Sequence, residues 1–355
     1  MPATAISLPE DGPLTGSTIP AIPVLPVKGG TSQLLGGKRT AIGDFAFRRI
    51  TLLAALAAGG LLVLLFAVLI NQSWPVWSEY GITRFLTTDT WAPNYIDPTT
   101  GNVTPQIGAL PFVAGTVLSG LIALAVAAPV GVLVAIYLVE YAPRRVSLVL
   151  TFIVELIAAI PSVVIGLWGL YIFAPFLRDT LQWYIASTIG HVIPFFAEDP
   201  ERPSTFSVFT AGMILAIMIT PMVIAISREV IRSVPMSLRE GHVGLGATRW
   251  ETIRRVVLPT AWVGILGGVM LAFGRALGET IAVTMVIGNI DQVPASVYEP
   301  GQTIASKIAT NLGDVTARLE LASLIGLGVV LLVVTVVLSA LVRLVARRFA
   351  TVYAY

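Results

Sequence analysis

The chain has 355 residues, of which 55% are hydrophobic and only 12% charged, with a mean hydropathy of +0.85. Soluble domains carry about 25% charged residues, so this is the composition of an integral membrane protein. The absence of cysteine excludes disulfide frameworks, thiolate metal sites and cysteine nucleophiles, and a net charge of +2 matters less by its sum than by where the charges fall.

Residues 1–45 are rich in Pro, Gly, Ser and Thr and too poor in large apolar side chains to build a core, so a flexible tail is predicted. The tail lacks the apolar region of a cleavable signal. Its Gly36-Gly37-Lys38-Arg39 lacks the Ser or Thr that must follow the lysine of a phosphate loop. A spanning helix needs about 20 mostly apolar residues, and six runs qualify: 50–70, 109–139, 146–177, 206–227, 258–290 and 321–342. The first belongs to a helix over 46–73. An external segment over 74–108 follows, whose Trp74, Trp77, Trp91 and Tyr95 suit a belt at the lipid–water interface. The main helical bundle is assigned to 109–348 and a short C-terminus to 349–355. Pro111, Pro129, Pro161 and Pro221 each remove a backbone donor and predict kinks.

Lysine and arginine are retained on the cytoplasmic side during insertion. The face holding the N-terminus collects Lys28, Lys38, Arg39, Arg48, Arg49, Arg144, Arg145, Arg228, Arg232, Arg239, Arg249, Arg254, Arg255, Arg343, Arg347 and Arg348. The other face has Arg84, Arg178, Arg202, Lys307 and Arg318 among more numerous acids, including Asp97, Glu198, Asp199, Glu201, Asp291 and Asp314. An even number of spans then places both termini in the cytoplasm. His191 and His242 fall on opposite sides and cannot share a metal, so no metal site is expected.

Between the fourth and fifth runs lies a polar, cationic, helix-forming stretch, 240–259, on the cytoplasmic face. It reads as a handle of two short helical pieces hinged at Gly246, with Leu258-Pro259 restarting the next membrane helix. Glu240, Arg249, Glu251, Arg254 and Arg255 are expected on exposed surfaces. A loop lying on anionic headgroups is the other reading of such a stretch. The stretch resembles the EAA loop of importer-type ABC transporter permeases: Glu240, Gly246, Leu258 and Pro259 fall in register, whereas Gly241 and His242 stand at alanine positions and Val256 at an isoleucine position. Glycine at the first of these should loosen the opening turn by about 1 kcal/mol. The stretch 274–289, with Gly274-Arg275, Gly278-Glu279-Thr280, Thr284 and Gly288-Asn289, is similar to the fifth helix of phosphate-specific permeases of the PstC-like type. The stretch 155–169, with Glu155, Pro161-Ser162, Gly166 and Gly169, is similar to their third.

That resemblance implies an all-α membrane protein with six transmembrane helices, of type I ABC importer permease (MetI-like) architecture, in a bacterial inner membrane. It implies a cytoplasmic coupling loop over 232–259, with Glu240, Gly241, His242, Gly246, Ala247, Arg249, Leu258 and Pro259 contacting an ATPase. The implied partners are a second, PstA-like permease, a homodimeric PstB-like ATP-binding subunit and an external PstS-like phosphate-binding protein. ATP and magnesium belong to the partner ATPase, and no cofactor or catalytic residue is expected on this chain. Molybdate or sulfate is the alternative cargo. A stand-alone channel or secondary transporter is the alternative class, whereas an enzyme lacks any nucleophile–base pair.

Arg275 and Glu279 interrupt an apolar run, so they must face protein or water. From a helix start near Pro259, Arg275 lies about 24 Å along, beyond the bilayer centre. Four residues apart, the two can pair along one helical face, with Glu155 as a third member of a packing network. Alternatively, Arg275 lowers the barrier for a hydrated anion while Glu279 positions it and Glu155, Ser162, Thr280 and Thr284 line the passage or its gate. The threonine and serine hydroxyls can equally bond their own backbone. Gly264, Gly268, Gly274 and Gly278 form two small-xxx-small pairs that suit close contact, within the chain or with a second permease.

Overall fold

The computed structural model describes residues 38–98, 101–102, 104–198, 204–315 and 317–352, with side-chain surroundings given from 43 to 344. The expected tail over 1–37, and with it Lys28 and the Gly36-Gly37 pair, lies outside the described residues, as do Asp199, Glu201 and Arg202. So do the side chains of Lys38, Arg39, Arg347 and Arg348. The chain divides into two units, Met1–Val63 and Leu64–Tyr355, and the division falls inside one long helix, α1 (Lys38–Pro75). In the first unit the helix is regular, with Thr51 Oγ1 donating to Phe47 O at 2.9 Å. Helix formation therefore begins inside the stretch assigned to the tail.

Among the described residues, six helices are long and apolar enough to cross a membrane: Gly43–Tyr80, Leu110–Tyr141, Ser162–Thr188, Val208–Arg232, Arg249–Leu277 and Arg318–Leu344. The number matches the six predicted runs, but two runs are cut differently. The third breaks at Pro161, whose ring disfavours helical backbone at the residue before it. It yields α4 (Arg144–Ala158) and, separately, α5 (Ser162–Trp168), α6 (Ala174–Leu177) and α7 (Trp183–Thr188), which continue one another through two wider π turns. The fifth ends at Leu277, so α11 (Leu258–Leu277) and α12 (Ile281–Val286) are separate pieces.

In the second unit, α2 (Ile82–Thr87) leads to a two-stranded antiparallel pair, β1 (Trp91–Ala92) and β2 (Gln106–Ile107), with Trp91 opposite Ile107. Trp77 packs edge-on against Phe85 at 5.3 Å and Trp91 against Phe112 at 5.4 Å. These two tryptophans, partly buried, pack against a small apolar core with Ile304, Leu324 and Leu327. Trp74 stays exposed. The core also takes in residues from both the external segment and the 109–348 bundle, so the predicted boundary at 108 does not separate them.

The main core gathers around α8 (Val208–Arg232), which packs on α3 (Leu110–Ile136), α11 and α12 through Ile214, Leu215, Ile219, Val223, Ile265 and Val283. Glycine permits the close approach on both sides of α8. A Cβ on Gly131 of α3 would meet Val223 Cγ1 at 2.6 Å, and one on Gly268 of α11 would meet Ile226 Cγ2 at 2.5 Å. Pro129 and Pro221 lie inside their helices as predicted. Pro111 instead occupies the first turn of α3, where its missing N–H costs nothing.

Two short helices, α9 (Met236–Gly244) and α10 (Arg249–Thr252), lie at one end of this bundle. At the opposite end are the β1–β2 pair and α13 (Ile304–Asn311). Helix α14 (Arg318–Val352) closes the order, and it carries helix beyond the predicted boundary at 348.

Candidate functional site

The handle has the hinged form expected of it. Helix α9 ends where Gly246 adopts φ +88, a left-handed backbone that a side chain would strain. Thr248 then opens α10 with a full capping box: its side chain accepts from Glu251 N at 3.3 Å, and the Glu251 carboxylate accepts from Thr248 N at 2.8 Å. Glu251 is thus half-buried and committed to the cap, unlike the exposed carboxylate predicted. Glu240, Arg249, Arg254 and Arg255 are exposed as expected. Gly241 does not prevent α9 from forming, and open space surrounds it.

Leu258-Pro259 does not restart a helix. Helix α10 runs on through a π turn, Ile253–Val257, into α11 as one 29-residue span. The wider turn accommodates Pro259, which has no N–H to give to the preceding turn. The second half of the handle is therefore the end of a membrane helix, and any displacement of it is applied directly to α11.

Four contacts not foreseen from the sequence hold the handle. His242 Nδ1 meets Thr252 Oγ1 at 3.1 Å, tying α9 to α10. Arg239 Nη2 lies 3.3 Å from Glu140 Oε1 and donates to Ile231 O at 2.6 Å. The Arg249 guanidinium sits 5.2 Å from the centre of the Tyr141 ring. Beside the exposed Glu240, Arg249, Arg254 and Arg255, the handle also turns apolar side chains outward: Leu245 is 87% exposed and Trp250 54%, with Val243 beside them. Two of the acceptors had a signal in the sequence, since Glu140 and Tyr141 follow directly on the second apolar run.

The charged residues of the spans are not brought together as the sequence suggested. Arg275 is exposed in the last turn of α11, while Glu279 lies past the helix end in the break before α12, so the two do not share a helical face. No ion pair joins them among the described residues. Glu155 sits instead at the handle end, lining a small recess with Thr151, Leu138 and Arg228, where Arg228 Nη1 donates to Thr151 Oγ1 at 2.6 Å. Two helix breaks do converge. Gly166 of α5 faces Ala282 and Met285 of α12, and Gly169 faces Val286, so Ser162, one turn earlier, lies toward the end of α12 that begins at Thr280. The Thr284 hydroxyl donates to Thr280 O at 2.7 Å and that of Thr280 to Gly278 O at 3.4 Å, each to its own backbone. Of the two glycine pairs, Gly264 and Gly268 pack inside the chain against Val230 and Ile226. A Cβ on Gly274 would meet nothing, so that face is open.

At the opposite end, Lys307 is buried at 3% exposure, with Nζ 2.6 Å from Asp291 Oδ2 and about equally far, 5.1 and 5.2 Å, from the rings of Trp91 and Phe112. Burial holds its ammonium below the usual lysine range, against the opposing pull of Asp291. Elsewhere, burial raises Glu198 despite Arg178, and burial together with the Glu198 charge pushes the Tyr298 hydroxyl up to about 12.

Comparison with known proteins agrees with this architecture. Residues 127–351 match the family described as "Binding-protein-dependent transport system inner membrane component". The chain is 40% identical over 319 residues to the phosphate transport system permease protein PstC of Mesorhizobium japonicum, covering 88% of this chain and 92% of that protein. It is 37% identical over 302 residues to the protein of the same description from Haemophilus influenzae, covering 85% and 92%. A solved bacterial alginate ABC transporter, in complex with an alginate pentasaccharide-bound periplasmic protein, is similar in fold. Its TM-score is 0.54 at 18% identity, over 86% of this chain and 97% of that one.

Proposed function

The chain belongs to the binding-protein-dependent inner-membrane transport components, among the PstC phosphate permeases, and from that premise we propose how its handle and helix breaks serve import. It is a multi-pass inner-membrane permease subunit of a phosphate ABC importer. The handle faces the cytoplasm, as do both termini, because arginine concentrates on that side. A PstB-like ATPase dimer binds it, supplying ATP and magnesium, and this chain hydrolyses nothing itself. A PstS-like binding protein delivers phosphate to the opposite face, and a PstA-like permease completes the passage.

The observation that supports coupling is the continuity of α10 with α11 through the π turn. An ATPase gripping Leu245, Val243 and Trp250 pulls on a helix that carries Arg275 in its last turn. Arg275 is exposed beside the open Gly274 face, so it meets the second permease or the passage between the two chains. A single guanidinium without a tight partner suits a transient anion site. Ser162 follows the break at Pro161, and Glu279 and Thr280 occupy the break before α12, the helix that carries Thr284. Glu155, beside Arg228, belongs to the cytoplasmic exit. Glu240→Lys should leave insertion intact and uncouple ATP hydrolysis from transport. Normal phosphate uptake by that variant, measured in cells lacking the wild-type chain, would refute the coupling role.

A further inference from the structure

We infer that Glu140 and Arg239 form the joint through which the handle drives the second membrane helix, which makes α3 the rod that carries the stroke to the outer end; this rests on the coupling reading above. Helix α3 passes into a π turn, Tyr137–Tyr141, closed by Ala142 N donating to Tyr137 O at 2.8 Å. The two side chains at the tip of that turn each take hold of one half of the handle. Glu140, 8% exposed, meets Arg239 of α9 at 3.3 Å. Tyr141 offers its ring to Arg249 of α10 at 5.2 Å. The Arg239 guanidinium donates its hydrogen bond to Ile231 O and is joined to Glu140 as an ion pair alone, so one group ties the π turn after α3, α8 and α9 together. Removing one partner of such a buried pair leaves an uncompensated charge, which holds the pair in register.

The far end of α3 is fastened as firmly. Thr116 Oγ1 accepts from Ile304 N at 2.9 Å, and a Cβ on Gly115 would stand 2.2 Å from Gln302 O. Residues 302–304 lead into α13, which carries the buried Lys307. Packed interfaces shift between discrete arrangements and do not stretch. A displacement of the handle is therefore delivered through α3 to the segment that faces the delivering protein, in parallel with the path through α11. Glu140, Tyr141 and Arg239 are positioning residues in this scheme, and none touches the ion.

The test is a double-mutant cycle on the whole transporter in liposomes, reading phosphate moved per ATP hydrolysed alongside retention of the ATPase subunits. Glu140→Gln and Arg239→Gln should each lower that ratio at least tenfold with the ATPase still bound, and the double variant should be no worse than either single. A ratio within twofold of wild type, or losses that multiply, would overturn the joint. If the buried variants fail to fold, Tyr141→Leu decides. Tyr141 is 43% exposed, so its loss should spare the fold and still lower the ratio several-fold, and an unchanged ratio would overturn the proposal. A wild-type chain that shows no coupling would instead defeat the underlying reading of the handle.

Discussion

Leu245 offers the sharpest quantitative test of the handle. It is 87% exposed at the tip of α9, immediately before the left-handed Gly246. Leucine to alanine removes three carbon groups, each worth about 0.8 kcal/mol when buried. Scaled by its exposure, full burial in an ATPase groove makes the loss about 2 kcal/mol, roughly a 30-fold weaker dissociation constant at 1.4 kcal/mol per tenfold. The isolated chain should be unaffected, because so exposed a side chain contributes little to its own fold. Titration of labelled ATPase subunits onto the chain in nanodiscs measures the affinity, and thermal unfolding of the same preparation controls for the fold. An affinity within twofold of wild type, with the fold intact, would refute the burial of this tip by the ATPase.

Two further predictions concern stability and assembly. Lys307→Met leaves Asp291 uncompensated and should cost about 2 to 4 kcal/mol, the upper part of the range for a broken buried pair being softened because Asp291 is 31% exposed. Adding Asp291→Asn should recover stability to within about 1 kcal/mol, as measured by denaturant unfolding in detergent. Because burial lowers the Lys307 pKa, the unfolded chain binds that proton more tightly. Wild type should therefore gain on the Lys307→Met variant as pH climbs from the folded-state value to the free lysine value of about 10.4, and lose that gain on the way down. The glycines of α11 should divide by face. Gly268→Ala drives a methyl into Ile226 and should destabilise the chain by about 1 to 3 kcal/mol. Gly274→Leu, with open space around it, should leave the melting temperature unchanged while lowering co-purification of the second permease.

How much was legible beforehand follows from which physical signal each feature carries. Hydropathy over about 20 residues gave the number of candidate spans, with the bounds of the third and fifth displaced, because the bilayer demands that length of apolar side chain. The hinge at Gly246 was legible because only one residue type sits comfortably at φ +88. Hydropathy is blind to continuity, however. It merged α4 with α5 across Pro161 and α11 with α12 across Gly278, since both sides of each break are equally apolar. The pairing of Arg275 with Glu279 failed for the same reason, because i, i+4 spacing means contact only where the helix persists. Glu140 with Arg239, and Asp291 with Lys307, join residues far apart in the chain. No local pattern announces such pairs, although a charge at the edge of an apolar run, as at Glu140, is a reason to look for a partner.

The most direct measurement is ATP hydrolysis by the chain co-reconstituted with its second permease, ATPase and external binding protein, with and without phosphate. A handle that relays nucleotide cycling predicts that phosphate-loaded binding protein stimulates hydrolysis several-fold, and that phosphate accumulates in the vesicle only while ATP is consumed. Hydrolysis indifferent to the loaded binding protein, or phosphate flux through this chain with no ATPase present, would contradict it.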